Sequence, residues 1–225
     1  MAKVKSKYVC QECGYETAGY LGKCPECGSW GSLVEEVETK SLAGKIPASE
    51  FLNNEKPVLI NEIDIDESVR ISTNISEFDR VLGGGLVQGS LVLLAGDPGI
   101  GKSTLILQTS GELCKQNQKV LYASAEESAS QVKLRAQRLN INSDKLYIYP
   151  QTNLEQIRAQ IKEIKPDILV VDSIQSIYTE NISSSAGSVS QVRECCNYLM
   201  QIAKTENITV IVIGHVTKEG NIAVA

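Results

Sequence analysis

The stretch Gly96-Asp97-Pro98-Gly99-Ile100-Gly101-Lys102-Ser103-Thr104 satisfies the pattern G-x-x-x-x-G-K-[ST]. Its flanks are those the pattern requires: an apolar run, Leu91-Val-Leu-Leu-Ala, before it and a helical period after it. Glycines let backbone N–H groups curl around phosphate oxygens, and the following helix aims its positive end at them. Lys102 is placed to reach the β- and γ-phosphates, and the Ser103 hydroxyl to hold Mg²⁺. The segment reads as a nucleoside triphosphate site. Two acidic positions belong with it. Ile168-Leu-Val-Val-Asp172 is an apolar strand ending in a carboxylate, the form of a Walker B element, so Asp172 is expected to bind Mg²⁺ through water. Val120-Leu-Tyr-Ala-Ser124 leads into Ala125-Glu126-Glu127, where a carboxylate can orient and polarise attacking water. Glu126 is the expected one; Glu127 falls where the first turn of the next helix would take a negative charge.

A second chemistry lies near the start. Cys10-Gln-Glu-Cys13-Gly and Cys24-Pro-Glu-Cys27-Gly are two knuckles that together offer four thiolates. Each pair spans about one tetrahedral edge, and two pairs complete a sulfur-only shell. A segment this short has too small an apolar core to fold unaided, so a metal would supply its stability. Rubredoxin-like iron sites use the same ligands, so donor type leaves iron beside zinc; zinc is the expected ion. Cys114, Cys195 and Cys196 read as small buried apolar groups, with Cys196 on a helical stripe of Val189, Val192, Leu199 and Ala203.

The elements that must position these groups follow from periodicity. Strands are expected at 119–124, 145–149, 168–172 and 208–213, and helices at 103–116, 128–139, 153–164 and 188–204. Pro166 ends the third helix, and Ser188-x-x-Gln191 predicts a capping box on the fourth. Such alternation predicts an α/β fold: a mostly parallel central sheet, helices on both faces and ligand at the strands' C-terminal edge. Residues 7–34 are expected to form the four-cysteine module, 35–68 an acidic linker with one short strand near Val58–Ile60, and 69–225 the nucleotide-binding core. The 225 residues, 42% of them hydrophobic, can bury a substantial core. No leader-like or membrane-spanning apolar run is present, so a cytoplasmic protein with reduced thiols is expected.

"STNISEFDRVLGGGLVQGSLVLLAGDPGIGKSTL", "YASAEES", "VVDSIQS" and "IGHVTKEGNIA", with the four-cysteine module, resemble the RadA/Sms family of bacterial DNA-repair ATPases within the RecA-like class. The resemblance runs from Tyr8 to about Ala223. It implies a RecA-like fold, ATP, Mg²⁺ and Zn²⁺ as cofactors, and a homohexameric ring. It also implies hydrolysis stimulated by single-stranded or branched DNA and helicase-like branch migration alongside the RecA recombinase. By position, it gives Lys102, Ser103 and Asp172 the nucleotide and metal roles, Glu126 that of catalytic carboxylate, and His215 the γ-phosphate-sensing place after the last strand. Family members continue into a lysine-asparagine-arginine-phenylalanine-glycine motif and a Lon-protease-like domain, neither of which appears here, so the sequence is expected to be a part with reduced activity.

Charge alone does not establish nucleic-acid binding, because the formal net charge is −5. Candidate contacts are Lys133, Arg135, Arg138, Arg193 and Lys218, together with the serine-rich loop from Tyr178 to Gly187. Two other classes of function stay open. A KaiC-type signalling ATPase shares the "GGGL" run but lacks the cysteine module. In the other, a zinc-finger binding module is switched by ATP.

Overall fold

The computed structural model describes residues 6–37, 57–62 and 70–215. Strands β6 (Leu91–Gly96), β7 (Val120–Ser124), β8 (Leu146–Tyr149), β9 (Ile168–Asp172) and β10 (Thr209–His215) form one sheet in the order β6-β10-β9-β7-β8. Every pairing in it is parallel. The connections are helices α2 (Lys102–Lys115), α3 (Ala129–Arg138), α4 (Leu154–Ile164) and α5 (Val189–Glu206).

Alternation along the strands sorts the core into two layers. Val120, Tyr122, Ile168, Val170, Ile211 and Ile213 face α2 and α3, meeting Ile106, Leu107, Leu113, Val132 and Ala136. Leu121, Ala123, Leu169, Val171, Val210 and Val212 face α4 and α5. The middle strands β7 and β9 are buried at every position, as expected of parallel strands covered on both sides. Each fully buried aliphatic side chain contributes roughly 1.5–3 kcal/mol relative to exposure. Because all five strands run the same way, their C-terminal ends, Gly96, Ser124, Asp172 and His215 among them, lie along one edge.

The N-terminal module is a three-stranded antiparallel sheet, β2 (Glu16–Thr17), β1 (Ser6–Cys10) and β3 (Leu33–Val37), in the order β2-β1-β3. It rests on the first turn of α5. Ser190 Oγ donates to the buried Glu36 Oε1 at 2.6 Å. A Cβ on Gly14 would come within 2.9 Å of the Arg193 guanidinium and 3.2 Å of Val189, so the knuckle packs there without a side chain. Ahead of the large sheet, the hairpin β4 (Arg70–Ile71) and β5 (Leu86–Val87) encloses the short helix α1 (Ser76–Val81).

Helix and strand positions agree with the periodicity to within two residues at each end. Three expectations are corrected. Residues 60–62 form a single 3₁₀ turn rather than a strand, because no partner strand pairs with them among the described residues. Ser188 caps α5 by accepting from Gln191 N, but the Gln191 side chain does not reach back to complete a box. It turns inward instead, accepting from Thr179 N and donating to the carbonyls of Thr179 and Ser184. The reciprocal box occurs on α3, between Ser128 and Gln131. Finally, Val192, Leu199 and Ala203 of the expected stripe are buried, but the cysteine that joins them is the fully buried Cys195, with Cys196 only half-buried.

Candidate active site and metal centre

The phosphate loop joins β6 to α2. Gly99 and Gly101 have φ values of 81° and 97°, in the left-handed region that a side chain disfavours. Gly101 is the N-cap of α2, with no side-chain cap, so the first N–H groups of the helix are not taken by a capping side chain. These are features that an anion-binding turn needs, and they fit the phosphates of ATP. Lys102 is buried, and its ammonium donates to Gly96 O at 2.7 Å and Asp97 O at 2.8 Å. It also donates to His215 Nδ1 at 3.2 Å. A lysine ammonium has donors only, so Nδ1 accepts and His215 Nε2 carries the ring proton.

That Nε2 lies 3.4 Å from Glu126 Oε1, which links the loop of β7 to the end of β10. Ser176 Oγ donates to the same oxygen at 3.1 Å, and the Ser173 hydroxyl donates to it as well. Among the described residues no hydrogen bond reaches Glu126 Oε2. Burial by itself would raise the Glu126 pKa, but the Ser173 and Ser176 hydroxyls and His215 outweigh it and hold the carboxyl below its ordinary value. The group is ionised near neutrality, with one oxygen engaged and the other without a partner among the described residues. Glu127 is built differently: its carboxylate pairs with Arg135 on α3.

Asp172 sits beside this pair, because Ala125 N donates to the Asp172 carbonyl at 2.7 Å and ties the ends of β7 and β9 together. Its Oδ2 accepts from the buried Tyr122 hydroxyl at 2.6 Å. Burial, then the Asp172 charge, push the Tyr122 hydroxyl pKa far up, so it stays a neutral donor. The peptide between Asp172 and Ser173 is cis. Ser103 is half-buried in the first turn of α2, and Thr104 beside it is exposed. Ile100 is exposed at the tip of the loop, and its side chain folds back toward Gly96. Pro98 completes the turn between Asp97 and Gly99.

The structure thus joins Lys102, His215 and Glu126 through direct contacts and sets Asp172 at the same edge. Sequence reasoning did not single out Tyr122, Ser173 or Ser176. The first had a legible signal, since period-two alternation puts residue 122 on the face of residue 124 at the end of the same strand. The basic candidates separate. Lys133 and Arg138 are exposed on α3, Arg135 is engaged by Glu127, and Arg193 covers the four-cysteine knuckle. Lys218 lies outside the described residues.

The cysteine site is compact: the sulfurs of Cys10, Cys13, Cys24 and Cys27 all lie within 4.8 Å of one another. Cys10 to Cys27 and Cys13 to Cys24 are each 3.6 Å apart. A tetrahedron with ~2.3 Å zinc–sulfur bonds has edges of about 3.8 Å, so the cage has the right size. Burial raises both Cys10 and Cys13. Hydrogen bonds with Ser32 and the backbone of Cys13 and Glu12 bring Cys10 down to about 6, whereas Cys13 is pushed up to about 12. Sulfurs this close cannot all hold negative charge by themselves, which is the condition that a dication relieves.

An AAA domain matches residues 62–221, most of the chain. The chain belongs to the AAA domain family. A rubredoxin metal binding domain matches residues 8–35. Curated relatives named DNA repair protein RadA include that of Bacillus subtilis, 52% identical over 225 residues, and that of Listeria monocytogenes, 52% identical over 228. The relative from Halalkalibacterium halodurans is 49% identical over 224 residues. Each alignment covers 99% of this chain and 49% of the relative, so the chain spans about half the length of the curated relatives it matches. The RadA-type resemblance and the α/β fold with a four-cysteine zinc ribbon are therefore borne out. An AAA domain implies ATP with Mg²⁺, and the four-sulfur cage Zn²⁺. Among the described residues no helix is long and apolar enough to cross a membrane.

Proposed function

We propose that this chain is the nucleotide-hydrolysing and zinc-bearing part of a DNA-repair ATPase. In this reading Gly96 to Thr104 cradle the phosphates, with Lys102 as their charge partner. Glu126 holds the attacking water through its free oxygen and accepts its proton. Ser103 and Asp172 hold Mg²⁺, which when bound neutralises charge on the phosphates. His215, touching both Lys102 and Glu126, is the residue that registers whether a γ-phosphate is present. Cys10, Cys13, Cys24 and Cys27 hold Zn²⁺ in a structural role.

The observation that carries the reading is the run of contacts from Lys102 through His215 to Glu126. It connects the residue that binds phosphate to the residue suited to activate water. The names of the relatives support DNA repair as the setting. The wider role follows from the family resemblance: a cytoplasmic homohexameric ring, stimulated by single-stranded or branched DNA, that works with the RecA recombinase in branch migration. The test is ATP turnover with and without single-stranded and branched DNA, on this chain and on a protein of the relatives' full length. Turnover that rises with DNA in the longer protein supports the reading. ATP binding with no DNA effect in either favours an ATP-switched binding module, for which the seat of the zinc ribbon on α5 offers a route.

A further inference from the structure

We propose that Tyr122 is a positioning residue for magnesium: its hydroxyl fixes Asp172 through one carboxylate oxygen and leaves the other for the cation. The inference rests on the reading of Asp172 as a magnesium residue and adds to it a partner from the interior of the sheet.

The register makes the contact possible. Ser124 pairs with Asp172 and Tyr122 with Val170, so Tyr122 and Asp172 share a sheet face, displaced by two residues. That face is the one covered by α2, whose first turn follows the phosphate loop. Spanning two residues along a strand needs a long side chain, and reaching a carboxylate usefully needs a donor at its tip. Tyrosine meets both needs. Its ring is buried among Ile106, Leu107, Val132 and Ile213, an environment in which phenylalanine would pack as well. A hydroxyl carried into such surroundings is costly unless it is used. Here its one proton goes to Asp172 Oδ2 at 2.6 Å, within the range of a short charge-assisted bond.

The consequence is rotational. A carboxylate at a strand end can turn about its last bonds, and every misdirected orientation lowers affinity for a metal held at a fixed place. A bond to one oxygen sets the angle of the other. Partners of this kind, one step removed from the metal, typically change affinity or activity 10–100-fold when removed. Tyr122 does not contact nucleotide or water in this scheme; it acts through Asp172.

Tyr122→Phe removes the hydroxyl and keeps the ring. The measurement is binding of fluorescently labelled ADP, titrated with Mg²⁺ and repeated in EDTA, at a temperature where thermal melting shows each variant folded. The expected result is a 10–100-fold rise in the Mg²⁺ concentration at half-saturation, with affinity in EDTA within about twofold of the parent. Asp172→Asn should show a loss at least as large, and adding Tyr122→Phe to it should change nothing further. If Asp172→Asn shifts the Mg²⁺ dependence and Tyr122→Phe does not, the tyrosine is only a packing residue and the inference is wrong. If Asp172→Asn also leaves it unchanged, Asp172 is not a magnesium residue, and this inference falls with that reading.

Discussion

Glu126→Gln is the substitution that best separates binding from chemistry at this site, because of how the carboxylate is held. Oε1 accepts from the hydroxyls of Ser173 and Ser176 and faces the N–H of His215. A glutamine oxygen can accept from the same three donors, so the side chain should stay in place. Its NH₂ group then stands where Oε2 was. A group that accepted a proton is replaced by one that can only donate, which removes the base and turns water the wrong way. General-base groups contribute typically 10²–10⁴ in rate, equivalent to about 2.7–5.4 kcal/mol of barrier. The stability cost should be small, because the same hydrogen bonds persist at reduced strength on a group that is two-fifths exposed. The assay is single-turnover ATP hydrolysis by a full-length protein in excess over nucleotide, beside equilibrium binding of ATP. Binding should hold within a few-fold while the rate falls by at least a hundredfold. Glu127→Gln, which loses only the pairing with Arg135, should hydrolyse near the parent rate and melt at a lower temperature. The reasoning is refuted if Glu126→Gln turns over normally, and the base is one residue along if Glu127→Gln is the inactive variant.

Three further outcomes follow from the same geometry. Lys102→Ala removes the ammonium that sits on Gly96 O, Asp97 O and His215 Nδ1, so ATP affinity should fall at least tenfold in equilibrium binding; unchanged affinity would contradict the phosphate role. Cys13→Ala should unfold the zinc ribbon and abolish stoichiometric zinc by elemental analysis, since structural zinc sites are worth ~10–16 kcal/mol in short peptides; nucleotide binding should persist, and one bound iron per chain would overturn the choice of metal. Asp79 accepts from Ser72 Oγ, Thr73 N and Thr73 Oγ1; burial opposes ionisation, but these bonds hold its pKa below the ordinary value of 3.8. Its contribution to stability is therefore complete above about pH 4 and lost as the pH falls through the lowered value, so thermal melts of the parent and Asp79→Asn should differ near neutrality and converge in acid; curves parallel at all pH values would show that the carboxylate is not what holds this turn.

Much of the architecture was legible because it depends on local pattern. Runs such as Leu169-Val-Val and Ile211-Val-Ile are buried on both faces, and only a sheet sandwiched between helices accepts them, so strand type and fold class followed directly. Lys102, Ser103 and Asp172 were legible for a related reason: a strand end or a loop-to-helix junction fixes where a residue goes almost independently of the rest of the chain. What escaped reading was set by register between strands distant in sequence. Tyr122 and Asp172 are 50 residues apart, and the pairing of Ser124 with Asp172 brings one to the other. Gln191 misled for a related reason. Its position suits a capping box, but the loop carrying Thr179 and Ser184 offers a buried side chain three backbone partners, and the Ser188 N–H that a box would use already donates to Ser185 O at 3.2 Å.

The two carboxylates of the site share a construction that neither strand could supply alone. Asp172 and Glu126 each have one oxygen engaged by hydroxyl donors from another segment, Tyr122 for the first and Ser173 and Ser176 for the second. The donors are exchanged across the seam: a β7 residue holds the β9 carboxylate, while residues just after β9 hold the carboxylate just after β7. The Ala125 N–H to Asp172 carbonyl bond closes the same seam through the backbone. Moving either strand end would therefore disturb both the residue assigned to magnesium and the residue assigned to water. His215 extends the arrangement to β10 and, through Lys102, to the phosphate loop. Occupation of that loop by phosphate would draw the lysine away from His215 Nδ1 and free the ring, whose other nitrogen faces Glu126. In the reading proposed above, the state of the nucleotide would then reach Glu126 through this imidazole, which contacts both Lys102 and Glu126.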